Sequence, residues 1–260
     1  MLLAMDIGNS SISTGLFGME GGELNYTFKL SSDKNRTVDE YICQINSMLY
    51  FSGIDKSLIK GAIISSVVPE LTHAMSLCAE RTVGKKPKIV GPGLKTGFPI
   101  KVDNPSELGA DLVSNTAAAL EIVGRGQACI VVDMGTATTL SAINGRGEYI
   151  GNCILPGVKL CFDALHKETA QLPFVTLAKP KSAIGKNSGE SIRSGVILGN
   201  AMMIDGFIDE FEKEMKLEGG AVLLATGGLA KYVLPACRHD ISYDQHLTLK
   251  GLYFIYKNNI

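Results

Sequence analysis

Apolar positions along the first part of the chain follow first a two-residue and then a helical period. "LLAMDI" (Leu2–Ile7), "SISTGLF" (Ser11–Phe17) and "ELNYTFKL" (Glu23–Leu30) are short β-type runs parted by glycine-rich turns, which predicts adjacent hairpin strands. "TVDEYICQINSMLYFSG" then sets Val38, Tyr41, Ile42, Ile45, Met48 and Leu49 at helical spacing, with Gly53 as a stop. "GAIISSVV" reads as a buried strand closed by Pro69, "PELTHAMSLCAERTVG" as a second amphipathic helix and "PKIVG" as a short strand. Pro, Gly, Asn and Asp crowd the stretch from Pro92 to Gly109, which predicts a long loop, and "ADLVSNTAAALEIVG" predicts an alanine-rich helix.

The pattern then restarts. "ACIVVDM" and "TTLSAIN" bracket a second glycine turn, "GEYIGNCIL" supplies a third strand, and "PGVKLCFDALHKETAQL" reads as a helix. After a loop from Pro173 to Glu190 come a long helix, "ESIRSGVILGNAMMIDGFIDEFEKEMK", a strand running into a turn, "AVLLATGG", and a terminal helix, "TLKGLYFIYKNN". Hairpins alternating with helices and parallel-type strands predict an α/β fold. The two similar openings, ending at Asp6 and at Asp133 about half a chain apart, predict a duplicated domain, divided as residues 1–115 and 116–260.

Composition narrows the classes. With 260 residues and 45% hydrophobic content the chain can bury a large core. A net charge of −1 with no long run of either sign argues against a nucleic-acid or acidic-membrane surface. The apolar run before Asp6 is too short for a secretion signal, and no stretch approaches a membrane span. Six scattered cysteines without a CxxC pair suit reduced, mostly buried thiols in a cytoplasmic protein rather than a zinc site.

The candidate chemistry lies in the turns. Each opening carries Asp-x-Gly followed by small polar residues: Asp6, Gly8, Asn9 and Ser10 in the first, Asp133, Gly135, Thr136, Ala137 and Thr138 in the second. A glycine hairpin with unpaired amides can hold phosphate by backbone N–H groups. An aspartate at its mouth can hold Mg²⁺ against phosphate oxygens, so Asp6 and Asp133 are the candidate metal ligands. Two such hairpins facing each other would grip a nucleotide's phosphates. Either aspartate alone reads equally well as a turn residue capping its own backbone. "LLATGGLA" adds Gly227 and Gly228, a flat surface suited to packing under a base or ribose.

In that order the motifs resemble the actin, hexokinase and Hsp70 class: two duplicated ribonuclease H-like (actin-like ATPase) domains with an ATP cleft between them. A narrower resemblance runs nearly end to end. "DIGNSSISTGLF", "SSVVP", "GPGLKTG", "NPSELGAD", "DMGTATT", "ILPG", "ALHKETAQLP", "IGKNSGESIRSG", "ATGGLA" and "LTLKGLYFIY" occur in the order of the type III pantothenate kinases, and the chain is identified as resembling that family. The resemblance implies a cytoplasmic homodimer that uses ATP, Mg²⁺ and a monovalent cation (K⁺ or NH₄⁺) to phosphorylate the primary hydroxyl of pantothenate, the first step of coenzyme A biosynthesis. It gives Asp111 of the "GAD" motif the part of catalytic base, and places Gly109, Ala110, Leu112, Lys186, Asn187 and Ser188 near the substrate.

Three positions depart from the family pattern. Leu112 stands where the family typically has arginine, Ser141 where it usually has an acidic residue, and Gly151-Asn152 where it usually has Gly-Gly. Leucine cannot supply arginine's bidentate grip on a carboxylate. Lys101, Arg125 or Arg193 could supply the charge instead. Two readings follow: an active ATP:pantothenate phosphotransferase, or a relative that binds nucleotide but has lost or changed its kinase activity.

Overall fold

The computed structural model describes residues 1–124 and 126–260; Arg125, one of the candidate compensating charges, lies outside the described residues. The chain forms two compact units, one of residues 1–99, 103–122 and 246–260, the other of residues 100–102 and 123–245.

In the first unit the expected hairpin strands are β1 (Leu2–Ile7), β2 (Ser11–Phe17) and β3 (Leu24–Ser31). Helix α1 (Val38–Phe51) follows, then β4 (Gly61–Ser66), α2 (Pro69–Val83), the two-residue β5 (Lys88–Ile89) and α3 (Ala110–Val123). Helix α1 starts at a capping box: Glu40 N–H donates to the Thr37 hydroxyl at 3.3 Å, and Thr37 N–H donates to the Glu40 carboxylate at 2.7 Å. Strand order is β3-β2-β1-β4-β5, with β1 antiparallel to β2 and parallel to β4. One sheet face, carrying Leu3, Met5, Ile7, Ala62 and Ile64, packs with Tyr41, Ile45 and Leu49 of α1 and Leu71 and Met75 of α2.

The second unit repeats that plan. Strands β6 (Cys129–Met134), β7 (Ala137–Ile143) and β8 (Tyr149–Pro156) form the hairpins. Helices α4 (Val158–Lys167) and α5 (Ser188–Glu214), β9 (Val222–Thr226), the short α6 (Ala230–Val233) and β10 (Ser242–Tyr243) follow. Strand order is β10-β9-β6-β7-β8, the same topology as in the first unit. Its core joins Ile130, Val132, Met134 and Leu140 to Phe162 of α4 and to Val196, Ile197, Ala201 and Ile204 of α5. The expected helix after "PG" ends ten residues in, at Lys167, where Glu168 caps it.

The last helix, α7 (Leu247–Lys257), belongs with the first unit, and the sequence-based division after residue 115 falls inside α3. Small residues explain the placement. Any side chain at Gly61 would run into the ring of Tyr256, one at Gly15 would come within 3.2 Å of Leu249 Cδ1, and one at Gly251 would strike the Ser114 backbone on α3. These glycines leave the second face of the first sheet open to α7, whose Leu247, Leu252 and Ile255 are fully buried. Among the described residues no helix is long and apolar enough to cross a membrane.

Candidate active site

Each Asp-x-Gly hairpin is closed by one backbone bond from its glycine. Gly8 N–H donates to the Ser11 carbonyl at 3.0 Å, and Gly135 N–H donates to the Ala137 carbonyl at 3.0 Å. Asn9, Ser10 and Thr136 are exposed at the turns. The aspartates stand at equivalent places. Asp6, next to last in β1, is in register with Ser13 of β2 and Ser65 of β4, and Asp133, next to last in β6, with Thr139 of β7 and Thr226 of β9. Side chains alternate across a strand, so in each unit these three residues share one sheet face.

That geometry separates two threonines that sequence reasoning did not. Thr138, expected at the phosphates, is paired with Met134, 1% exposed, and turned to the core face. Thr139, which sequence reasoning missed, shares the face of Asp133 instead.

In the second unit three turns meet. Gly227 adopts a φ of +96°, and a Cβ there would lie 2.5 Å from the carbonyl carbon and oxygen of Met134, so the Gly-Gly turn presses directly on the end of β6. Gly157, which opens α4 after "ILP", presses on the hairpin itself: its Cβ would stand 2.7 Å from the Thr136 carbonyl carbon and 2.8 Å from the Gly135 oxygen. Gly228 is open to solvent. Tyr243 of β10 closes the group, its hydroxyl donating to the Gly227 carbonyl at 3.2 Å. Burial, then the charges of Asp244 and Asp133, push that phenol above its ordinary value. No motif singled out Tyr243; only a second parallel crossover after the Gly-Gly turn places it there.

Asp111 lies in the first turn of α3 in the first unit. It does not cap the helix from outside: Gly109 takes the Val113 N–H at 3.1 Å, and the Asp111 carboxylate folds back to accept the Leu112 N–H at 2.8 Å. Gly109 leaves the Asp111 carboxylate room in this position; a Cβ there would displace the carboxylate oxygen. Burial raises the Asp111 carboxyl above the usual carboxylate range, only partly offset by the Leu112 N–H. Ala110 and Leu112 on either side are buried, at 9% and 7% exposure.

The remaining expected residues divide. Asn187 is the N-cap of α5, its side-chain oxygen accepting the Glu190 N–H at 3.0 Å, with Lys186 and Ser188 exposed beside it. Arg193, considered as a replacement for the missing arginine, is engaged with Glu190 at 2.7 Å and donates to the Thr176 carbonyl at 3.2 Å, tying the preceding loop to α5. Lys101 is exposed, and its charge helps hold the Glu148 carboxyl low after the hydrogen bonds from Asn144 and Arg146. Two of the three departures are direct cross-strand partners: Ser141, 1% exposed on β7, is paired with Asn152 on β8.

Among the described residues no three His, Cys, Asp or Glu side chains gather in a way that could hold a metal by themselves.

Comparison with known proteins adds the following. The family model described as type III pantothenate kinase matches residues 2–210. A type III pantothenate kinase of Moorella thermoacetica is 40% identical over 259 residues, covering 100% of both chains. One from Geotalea uraniireducens is 41% identical over 259 residues, covering 100% of this chain and 99% of that protein. Among solved structures, the activator of the 2-hydroxyisocaproyl-CoA dehydratase from Clostridium difficile with bound ADPNP matches with a TM-score of 0.55 at 10% identity, over 99% of this chain and 95% of that one. Component A of the (R)-2-hydroxyglutaryl-CoA dehydratase of Acidaminococcus fermentans matches with a TM-score of 0.52 at 12% identity, over 100% and 99%. Identities this low speak to fold alone, and the fold is the expected α/β plan of two duplicated actin-like ATPase domains.

Proposed function

The chain belongs to the type III pantothenate kinase family, and from that premise we propose how its residues carry out the ATP-dependent phosphorylation of pantothenate that opens coenzyme A biosynthesis. Phosphoryl transfer passes through a loose transition state, so positioning and charge stabilisation dominate over covalent chemistry. Asp111 is the base. Its carboxylate orients the primary hydroxyl of pantothenate and takes the proton as the bond to phosphorus forms. The observation that carries this assignment is its burial, which raises its proton affinity toward the range useful in a general base. Leu112 holds the carboxylate through its N–H, and Gly109 leaves room for it.

Gly8, Asn9 and Ser10 offer amides and small donors to ATP phosphates, as do Gly135, Thr136 and Ala137, and the Gly227–Gly228 turn packs the nucleoside. Asp6 and Asp133 are the residues that would hold Mg²⁺, which when bound neutralises phosphate charge. A monovalent cation, K⁺ or NH₄⁺, would add further positive charge beside the phosphates. The exposed segment Lys186–Ser188 faces pantothenate. With Leu112, buried at 7% exposure, in place of arginine, the pantothenate carboxylate must be held by other donors.

The enzyme works in the cytoplasm as a homodimer. Six free cysteines suit the first. The second is supported by large apolar side chains left exposed on the second unit, Ile154 at 68%, Leu160 at 44% and Met202 at 67%. Incubation with ATP, Mg²⁺ and pantothenate, with K⁺, NH₄⁺ or neither, tests the whole reading by mass detection of 4′-phosphopantothenate. Product in stoichiometric step with ADP is expected, and ADP release without phosphorylated pantothenate would refute it.

A further inference from the structure

"SSVVP" contributes two serines at the end of β4, and the structure uses them differently. Ser66 is spent locally: its hydroxyl accepts the Val68 N–H at 3.2 Å and the Thr72 hydroxyl at 2.7 Å, fastening the entry to α2. Ser65 points to the opposite face. It is 0% exposed, its hydroxyl has no hydrogen-bond partner, and its register neighbour on β1 is Asp6. A buried hydroxyl without a partner is costly, and alanine would fill almost the same volume without that cost. In the second unit the parallel-strand position beside Asp133 is Thr226 of β9, and the unpartnered hydroxyl lies instead on the antiparallel neighbour β7. Thr139, in register with Asp133, also carries a buried hydroxyl oxygen without a partner. Thr14 and Thr138 also carry unpartnered buried hydroxyls, on the core-facing side of the hairpins; of these four residues, Ser65 and Thr139 are the ones in register with the aspartates.

We propose that Ser65 is a positioning residue: its hydroxyl donates to the neighbouring carboxylate of Asp6 when Mg²⁺ and phosphate are bound, fixing which oxygen turns to the cation. The inference rests on the assignment of Asp6 to Mg²⁺·ATP. Carboxylates that hold metals are themselves held by hydrogen bonds, and losing such a support weakens metal affinity about tenfold or more. A serine in the parallel strand directly beside the aspartate donates from the sheet itself, so it stays fixed when the exposed turn residues move.

The test compares wild type with Ser65→Ala in two melts. Without ligand, the variant is expected to melt at or above wild type, by up to about 4 °C, because an unsatisfied buried hydroxyl is gone. With saturating ATP and increasing Mg²⁺, the Mg²⁺ concentration giving half of the ATP-dependent rise in Tm is expected to increase about tenfold. Ser65→Cys keeps the volume with a poor donor and serves the same purpose should alanine unfold the chain. A half-point within twofold of wild type in either folded variant overturns the proposal for Ser65. A wild-type chain that shows no Mg²⁺-dependent rise at all overturns the ATP-site reading, and this inference with it.

Discussion

Gly157→Ala tests whether the second hairpin is held in shape from behind. Gly157 has an ordinary φ of −67°, so alanine brings no backbone strain and its effect is steric alone. The added methyl would sit 2.8 Å from the Gly135 carbonyl oxygen and 2.7 Å from the Thr136 carbonyl carbon, nearer still to the Thr136 oxygen. All three are backbone atoms of the phosphate turn and none can rotate away, so the hairpin or α4 must give by roughly an ångström to regain contact distance. Overpacking of this kind costs about 1–3 kcal/mol, which for a chain of this size lowers Tm by roughly 2–10 °C. The same displacement moves the turn amides off the phosphate. Since a misplacement of about 1 Å can cost about a hundredfold, kcat/KM for ATP is expected to fall by roughly ten- to a hundredfold. Differential scanning fluorimetry and a coupled ADP-release assay read the two effects. Gly206→Ala is the matched control: it lies in α5 with nothing within 4 Å of the new methyl, and is expected to raise Tm by roughly 1–4 °C without touching ATP kinetics. A Gly157→Ala protein with lowered Tm but unchanged ATP kinetics would refute the link between that turn and the phosphate site.

Three further outcomes follow from other parts of the chain. Because burial raises the Asp111 carboxyl, folding favours its protonated form; wild type should lose stability relative to Asp111→Asn as pH rises from about 3.9 through the raised value, so the variant melts at or above wild type at pH 7 in paired thermal scans. The ionised base acts only above that raised value, so the acid limb of kcat/KM in a pH–rate profile should lie above the ordinary carboxylate range. Asn187→Ala removes the N-cap of α5 and should cost about 0.5–2 kcal/mol by denaturant titration, whatever it does to the KM for pantothenate.

The duplication was legible because two aspartates end apolar runs of equal kind before glycine turns, and both became the first hairpin of identical sheets. Asp111 was legible as part of a motif, but its raised proton affinity was not, since that comes from burial. Sequence spacing did not separate Thr138 from Thr139, because only strand register tells which of two adjacent threonines shares a face with Asp133. It also treated Ser141 and Asn152 as separate departures when β7 and β8 set them side by side. The terminal helix looked like the end of the second half, whereas Gly15, Gly61 and Gly251 shape a seat for it on the first. Such complementarity joins residues distant in sequence and leaves no local periodicity to read.

The direct measurement of the central claim is the single-turnover rate of phosphate transfer to pantothenate in wild type and Asp111→Asn, each first shown to bind Mg²⁺·ATP. A rate lowered by about 10²–10⁴-fold with nucleotide affinity retained is the result expected if Asp111 takes the hydroxyl proton. An Asp111→Asn protein that transfers phosphate at the wild-type rate would contradict it.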